Sequence, residues 1–379
     1  MTYLVSGAGT YSKAADRWPK NAPQFAERAQ GPYIFASDGK RYIDCTSSLG
    51  AILLGYGHPE VEAAVAAQAA IGNSFSLPTR LEHDLAERLC ALIPCAEMVR
   101  FGKNGCDVTG AAVRIARAAT GRQHIVYNGY HGHHDWSMTL PDKNGGVPEC
   151  MGPFSHKMRD LEHLANLLDE FPVAGVIMEP VISATPVIPD PAYWRAVRSL
   201  CDHYGTLLIL DEMVTFGRLG YPGAVTEWAI DADLWCGAKA LGNGYPLTLV
   251  AGRRELMQRI EADVFYSTTF AGETTALAAG MKVLDILDRD GLPVQVGQVF
   301  RWGFDDAARH YGLDVRCGSY DMRPTFYNAP PELLEALVEE GVLCQGYLNV
   351  TWAHADVLDD LLAAFRSAMK RAADTMGRG

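Results

Sequence analysis

No stretch of about 18 apolar residues occurs anywhere in the chain, so a membrane-spanning helix is not expected. The opening MTYLVSGAGTYSKAADRWPK has no long apolar core behind a basic start, and an export signal is not expected either. Basic residues are in the minority, 33 against 45 acidic for a net charge of −12, and no Lys/Arg run could neutralise a phosphate backbone. Nucleic acid is therefore not the expected partner. The nine cysteines are scattered without a CxxC pair, which argues for reduced thiols in a cytoplasmic protein rather than a disulfide framework. Also missing is the phosphate loop GxxxxGK[ST], and with it half of an ATPase site. What the chain does have is 48% hydrophobic residues over 379 positions, enough for a large core in two domains of unequal size.

Strand and helix signals alternate along most of the chain. Tyr33 to Phe35 and Arg41 to Asp44 bracket the turn Ser37-Asp38-Gly39-Lys40 as a hairpin. Pro59 opens an Ala-rich helix to about Ile71, and Leu81, Leu85, Leu89 and Leu92 form the stripe of a second. Short strands are expected at Met98 to Phe101, Ile125 to Tyr127, Val173 to Val181, Leu207 to Leu210 and Leu247 to Ala251, with helices between them. A short helix over Glu255 to Asp263, a longer one over Thr274 to Leu287 and a closing one from Val357 to about Ala372 complete the pattern. Such alternation predicts an α/β fold with a mainly parallel sheet covered on both faces. The expected organisation is an N-terminal segment over 1–45 packing with the small domain, a large domain over 46–287 and a small C-terminal α+β domain over 288–379.

The stretch from Thr206 to Lys239 organises the rest. The apolar run Leu207 to Leu210 delivers Asp211 and Glu212 at its end, and a second run brings Lys239 to the edge of the glycine-rich Leu241-Gly242-Asn243-Gly244. A lysine among small and apolar residues is partly desolvated, which makes a neutral amine available. Chemistry in parallel α/β sheets collects beyond the carboxyl ends of strands, so the acid and the amine can share one crevice. Pyridoxal phosphate uses that pair, an imine to lysine and a carboxylate at its ring nitrogen. Two other turns bear on the site. Gly102 to Asp107 between a strand and a helix is an anion-binding arrangement, since free backbone amides and the helix dipole point at whatever binds there. Gly129-Tyr130-His131-Gly132-His133-His134-Asp135 has three histidines, yet no further Cys or His stands at ligand spacing, so no metal is expected and these side chains are assigned to the crevice wall.

Taken in order, SDGKRYID, LGYGHPEV, MVRFGKNGCDVTGAAVRIARAATGR, GYHGHHD, VIMEPV, LLILDEMVTFGR, GAKALGNGYP and STTFAGETT resemble the fold-type I, class III pyridoxal-phosphate enzymes, in the branch around glutamate-1-semialdehyde aminomutase. The likeness covers nearly the whole chain. It implies that Lys239 carries the cofactor covalently and shuttles the substrate proton, that Asp211 pairs with the pyridine nitrogen, and that Met213 and Tyr130 pack on the ring's two faces. Gly105 and Cys106 stand where the family binds the phosphate, with Cys106 in place of the usual Ser or Thr. Since a thiol is a poor donor, backbone amides must carry more of that contact. Thr269 is similar to the residue that the neighbouring subunit lends to the phosphate, which implies a homodimer with shared sites. Arg17, Leu49, Glu179 and Arg323 are the substrate-pocket candidates. Leu49 replaces the aminomutase tryptophan, Ala238 replaces the glycine before the lysine, and the loop between His134 and Phe154 is short.

The implied activity is aminotransfer by a ping-pong cycle through pyridoxamine, from a small-molecule amino donor to a carbonyl acceptor. An intramolecular aminomutase is the alternative, followed by a decarboxylase or racemase on the same fold. A nucleotide-binding protein is disfavoured by the missing phosphate loop.

Overall fold

The computed structural model describes residues 3–138, 144–237, 239–375 and 377. The chain divides into two compact units, Met1–Pro59 with Leu292–Gly379, and Glu60–Gly291. Among the described residues no helix is long and apolar enough to cross a membrane.

In the first unit, β1 (Ala26–Gln30), β2 (Tyr33–Ala36) and β3 (Arg41–Asp44) form an antiparallel meander. The expected hairpin is β2 with β3, pairing Tyr33 with Ile43 and Phe35 with Arg41. The strand β1 was not expected, because AERAQ shows no apolar alternation; it is a largely exposed edge strand held by backbone pairing to β2.

The second unit holds the main sheet: β4 (Met98–Gly102), β5 (His124–Tyr127), β6 (Ser155–Lys157), β7 (Val173–Met178), β8 (Leu207–Glu212), β9 (Leu234–Gly237) and β10 (Thr248–Gly252). The strand order is β4-β10-β9-β8-β7-β5-β6. Only β10 runs against the others, pairing antiparallel with β4 on one side and β9 on the other. The carboxyl ends of β4, β5, β7, β8 and β9 therefore share one edge, where the polar residues of the sequence motifs collect. The strand VAGVIM of β7 is buried at every residue, as a strand covered by helices on both faces must be. Each large aliphatic side chain in this layer contributes about 1.5–3 kcal/mol through burial.

Helix Gly105–Thr120 packs on this sheet with Val108, Ala111, Ala112, Ile115 and Ala116 against Ile177, Ile209 and Val250. It begins three residues before the apolar periodicity does, because Asn104 and Asp107 form a capping box at its start. Helix Pro191–Tyr204 ends at Gly205 with a left-handed φ of 60°, returning the chain into β8. The helix expected over Glu255 to Asp263 is two single turns, Arg254–Met257 and Arg259–Ala262, and helix Thr274–Asp290 runs as anticipated.

Back in the first unit, β11 (Arg316–Gly318) pairs with β12 (Thr325–Tyr327), and β13 (Val342–Leu343) joins β3 in parallel. Helices Val294–His310 and Leu358–Thr375 close over Phe300, Phe304, Phe326 and Phe365, whose rings stack or meet edge to face.

Candidate active site

Asp211 and Lys239 leave neighbouring parallel strands at the same end. In the β8–β9 ladder Asp211 lies opposite Cys236 and Glu212 opposite Gly237, and Lys239 follows Gly237 by two residues at the same end of the sheet. Lys239 is half-buried and opens the 3-10 turn Lys239–Gly242 with a left-handed φ of 52°, a conformation that costs a non-glycine residue about 1 kcal/mol. Ala238 lies outside the described residues.

Asp211 is buried and held from two sides. Its Oδ1 accepts from the Met213 N–H at 3.0 Å, and its Oδ2 lies 2.7 Å from His131 Nδ1. The other ring nitrogen of His131, Nε2, donates to the Asn128 carbonyl. A carbonyl can only accept, so Nε2 carries a proton, and Nδ1 is the nitrogen that faces Asp211. Burial alone would push His131 down, but the hydrogen bond and charge of Asp211, together with the charge of Glu179, raise it above its ordinary value. The site thus contains a buried His131–Asp211 pair in which each carboxylate oxygen meets one partner.

Met213 connects this strand end to helix Gly105–Thr120. A Cβ on Gly105 would stand 3.2 Å from Met213 Sδ, so the thioether lies against the helix's first turn. Cys106 is buried in that turn beneath Gly132, where an added Cβ would come within 2.5 Å of Cys106 Cβ; only glycine, here at φ 108°, fits. Thr109 fastens the loop by donating to the His131 carbonyl at 2.7 Å. Tyr130 projects from the same loop with 54% of its surface exposed.

Glu179 was placed in the substrate pocket by sequence reasoning. In the structure both of its oxygens are engaged by the chain: Oε1 accepts from the Tyr130 N–H at 2.9 Å and Oε2 from Ser183 N–H at 3.1 Å and from the Ser183 hydroxyl. Lys103 pairs with Glu273 at 3.0 Å. Thr269 is exposed in the turn before helix Thr274–Asp290.

Arg17, Leu49 and Arg323 belong to the other unit. Arg17 lies over the Tyr11 ring at 4.1 Å, and Arg323 is buried over the Tyr347 ring at 4.7 Å. Leu49 sits in a turn in which Ser47, Ser48, Leu49 and Gly50 carry φ of 48, 50, 59 and 84°. Three consecutive non-glycine residues there hold strain of about 1–2 kcal/mol each, which only surrounding bonds can maintain. Asn349 supplies two of these, donating to the Thr46 carbonyl at 2.8 Å and accepting from the Ser47 hydroxyl at 2.9 Å.

Sequence reasoning did not separate His131 from its neighbours. Three imidazoles in one heptapeptide carry no mark of which one turns inward. It also found no partner for His133 and His134, whereas the fold brings Cys106 to them.

With the strand ends described, the comparisons with known proteins decide the family. A family model described as Aminotransferase class-III matches residues 14–347. The chain belongs to the class-III aminotransferases. The glutamate-1-semialdehyde 2,1-aminomutase of Methanothrix thermoacetophila is 35% identical over 352 residues, covering 87% of this chain and 81% of that protein. The aminomutase of the same name from Roseiflexus castenholzii is 33% identical over 94% of this chain and 92% of its own length. Among solved structures, the FumI protein of Sphingopyxis sp. MTA144, in its PLP internal aldimine form, superposes with a TM-score of 0.90 at 26% identity, over 96% of this chain and 92% of that one. A glutamate-1-semialdehyde aminomutase from Pseudomonas aeruginosa PAO1, in complex with PMP, gives a TM-score of 0.85 over 99% of this chain and 92% of that one; at 20% identity this speaks to the fold alone. As a class-III aminotransferase the chain is a pyridoxal-phosphate-dependent enzyme with the fold-type I architecture.

Proposed function

We propose that the protein transfers an amino group from a small-molecule donor to a carbonyl acceptor, with Lys239 and Asp211 as the reacting pair. The observation that carries this reading is the adjacency of their strand ends in one ladder. The residues present fit pyridoxal phosphate: a buried carboxylate with spare acceptor capacity, an amine on the next strand, and a helix N-terminus whose first turn is kept open by glycine. When bound, the cofactor supplies a carbonyl for covalent attachment and a ring that accepts electrons from the substrate carbon.

In this reading Lys239 Nζ carries the attachment and afterwards moves the proton at the substrate carbon. An Asp211 oxygen would meet the ring nitrogen, and His131 and the Met213 N–H orient Asp211 for that contact. Met213 and Tyr130 would hold the ring. The amides of Gly105 and Cys106 would receive the phosphate, where the helix dipole favours an anion. Thr269 of a second copy completes that contact, so the active form is a homodimer. Glu179 positions the Tyr130 loop rather than substrate.

A second reading has a specific observation behind it: the curated relatives are named glutamate-1-semialdehyde 2,1-aminomutases, and the likeness spans most of both chains. An aminomutase requires a fixed cation for a small acidic substrate. Against it stand Leu49, where that branch has a large ring, and the engagement of Arg17 with Tyr11 and, at 3.8 Å, with Asp16. Assay of the purified protein with glutamate-1-semialdehyde beside intermolecular donor and acceptor pairs separates the two readings. We expect faster turnover with an intermolecular pair; conversion of the semialdehyde above every such pair would establish the aminomutase instead.

A further inference from the structure

Beside the first turn of helix Gly105–Thr120 lies a cluster of side chains that the chemistry above does not use: the Cys106 thiol, whose backbone amide alone is assigned to the phosphate, and the His133 and His134 imidazoles. Cys106 Sγ and one nitrogen each of His133 and His134 all lie within 4.8 Å of one another. A tetrahedral Zn²⁺ site with Zn–N of about 2.1 Å and Zn–S of about 2.3 Å places its ligands roughly 3.4–3.8 Å apart. The three donors need to close by up to about 1.4 Å, a movement within reach of a side-chain rotation at the exposed His133.

The surroundings are arranged around these side chains. Gly110 sits in mid-helix, where glycine is about 1 kcal/mol less favourable than alanine. An added Cβ there would stand 2.9 Å from His134 Nδ1, so the missing methyl is the space the imidazole occupies. Gly132 likewise makes room for Cys106. His133 and His134 also line a cavity of about 610 Å³, with Arg114, Trp136 and Thr268 on its wall, which gives an ion a path to the two imidazoles. One thiolate and two imidazoles, with a position left for water, are the donor set that suits Zn²⁺ over Mg²⁺ or Ca²⁺.

We propose that Cys106, His133 and His134 bind a soft divalent cation of the Zn²⁺ type, and that its occupation excludes the cofactor phosphate from the same helix turn. The second half rests on the assignment of Gly105 and Cys106 to the phosphate; the first half does not. The metal converts Cys106 from a poor hydrogen-bond donor into a ligand, and it displaces the thiol proton to solvent.

The test uses the full chain, stripped of cofactor and reloaded. Zn²⁺ is titrated calorimetrically, and Co²⁺ is added to the stripped protein to look for the sulfur-to-cobalt charge-transfer band. One ion per chain is expected. Cys106→Ser should abolish the band, and His134→Ala should weaken Zn²⁺ by about tenfold or more while leaving cofactor affinity unchanged. Cys150→Ser, at an exposed thiol, should change nothing. Unaltered binding in both Cys106→Ser and His134→Ala, or loss of binding in Cys150→Ser, would overturn the site. Loading with pyridoxal phosphate should weaken Zn²⁺ by about tenfold or more. Equal Zn²⁺ affinity in loaded and stripped protein would refute the exclusion alone. Failure of Lys239 to carry the cofactor would leave the cobalt band in place, so the two readings fail separately.

Discussion

Asp211 and Glu212 are consecutive carboxylates at the tip of one strand, yet they face two different regions. Glu212 is fully buried and saturated: it accepts from the Thr215 hydroxyl at 2.6 Å, the Ala224 and Val225 N–H groups at 2.7 and 2.8 Å, and Trp235 Nε1 at 3.1 Å. Gly223 is pressed against it so closely that an added Cβ would fall 2.3 Å from Oε2. Asp211, on the opposite face of the pleat, has one hydrogen-bonding partner on each oxygen and capacity for more. Alternation along a strand turned one acid into an anchor for the loop that follows and left the other facing His131 with fewer of its acceptor positions filled. A carboxylate with every acceptor position filled stabilises; one with positions left over can act.

The largest effect expected from breaking this arrangement is at Lys239. Lys239→Ala should lower turnover by on the order of a thousandfold, since it removes both the attachment point and the proton carrier. Borohydride reduction with peptide mass mapping should place the pyridoxyl group on Lys239. A label on Lys103, which is paired with Glu273, would refute the assignment.

Next come the two acids, exchanged in turn. Asp211→Asn should cost about a hundredfold or more in turnover with little change in unfolding temperature. Glu212→Gln should do the reverse, keeping turnover per folded molecule and losing about 1–3 kcal/mol of stability, because buried donors lose their acceptor. Chemical denaturation and steady-state kinetics on both variants decide the matter. Equal kinetic losses would mean that the two faces are not functionally distinct.

A smaller effect is expected at His131. Its value is raised in the folded state above the ordinary 6.5. Stability from the imidazolium–carboxylate pair is therefore present in full below about pH 6.5 and is lost as pH rises through the raised folded value. His131→Gln should flatten that part of the stability–pH curve, read by thermal unfolding across pH. An unchanged curve would show that His131 is neutral in the fold.

The smallest signal is in subunit mixing. Lys239→Ala and Thr269→Ala proteins, each of low activity alone, should regain up to about a quarter of wild-type activity when mixed, since random pairing makes half the dimers hybrids with one complete site. No recovery, or an active monomer by sedimentation, would remove Thr269 from the site.

Much of this was written in local pattern. Runs such as LLIL and VAGVIM announce buried parallel strands because both faces of such a strand must be apolar, and the Asp-Glu pair and Lys239 are visible as the polar residues that end two of these runs. The edge strand β1 escaped because its stability comes from backbone pairing, which leaves no apolar signature. What only the tertiary structure decided was the company each polar side chain keeps. Nothing in GYHGHHD distinguishes the imidazole that turns inward to Asp211 from the two that meet Cys106, because these contacts span 80 residues in one case and more than 20 in the others. Nor does the pair Asp211-Glu212 reveal which acid is saturated. Hydrophobic periodicity acts between near neighbours and survives in the one-dimensional text, whereas hydrogen-bond partners are assigned when distant segments close on one another.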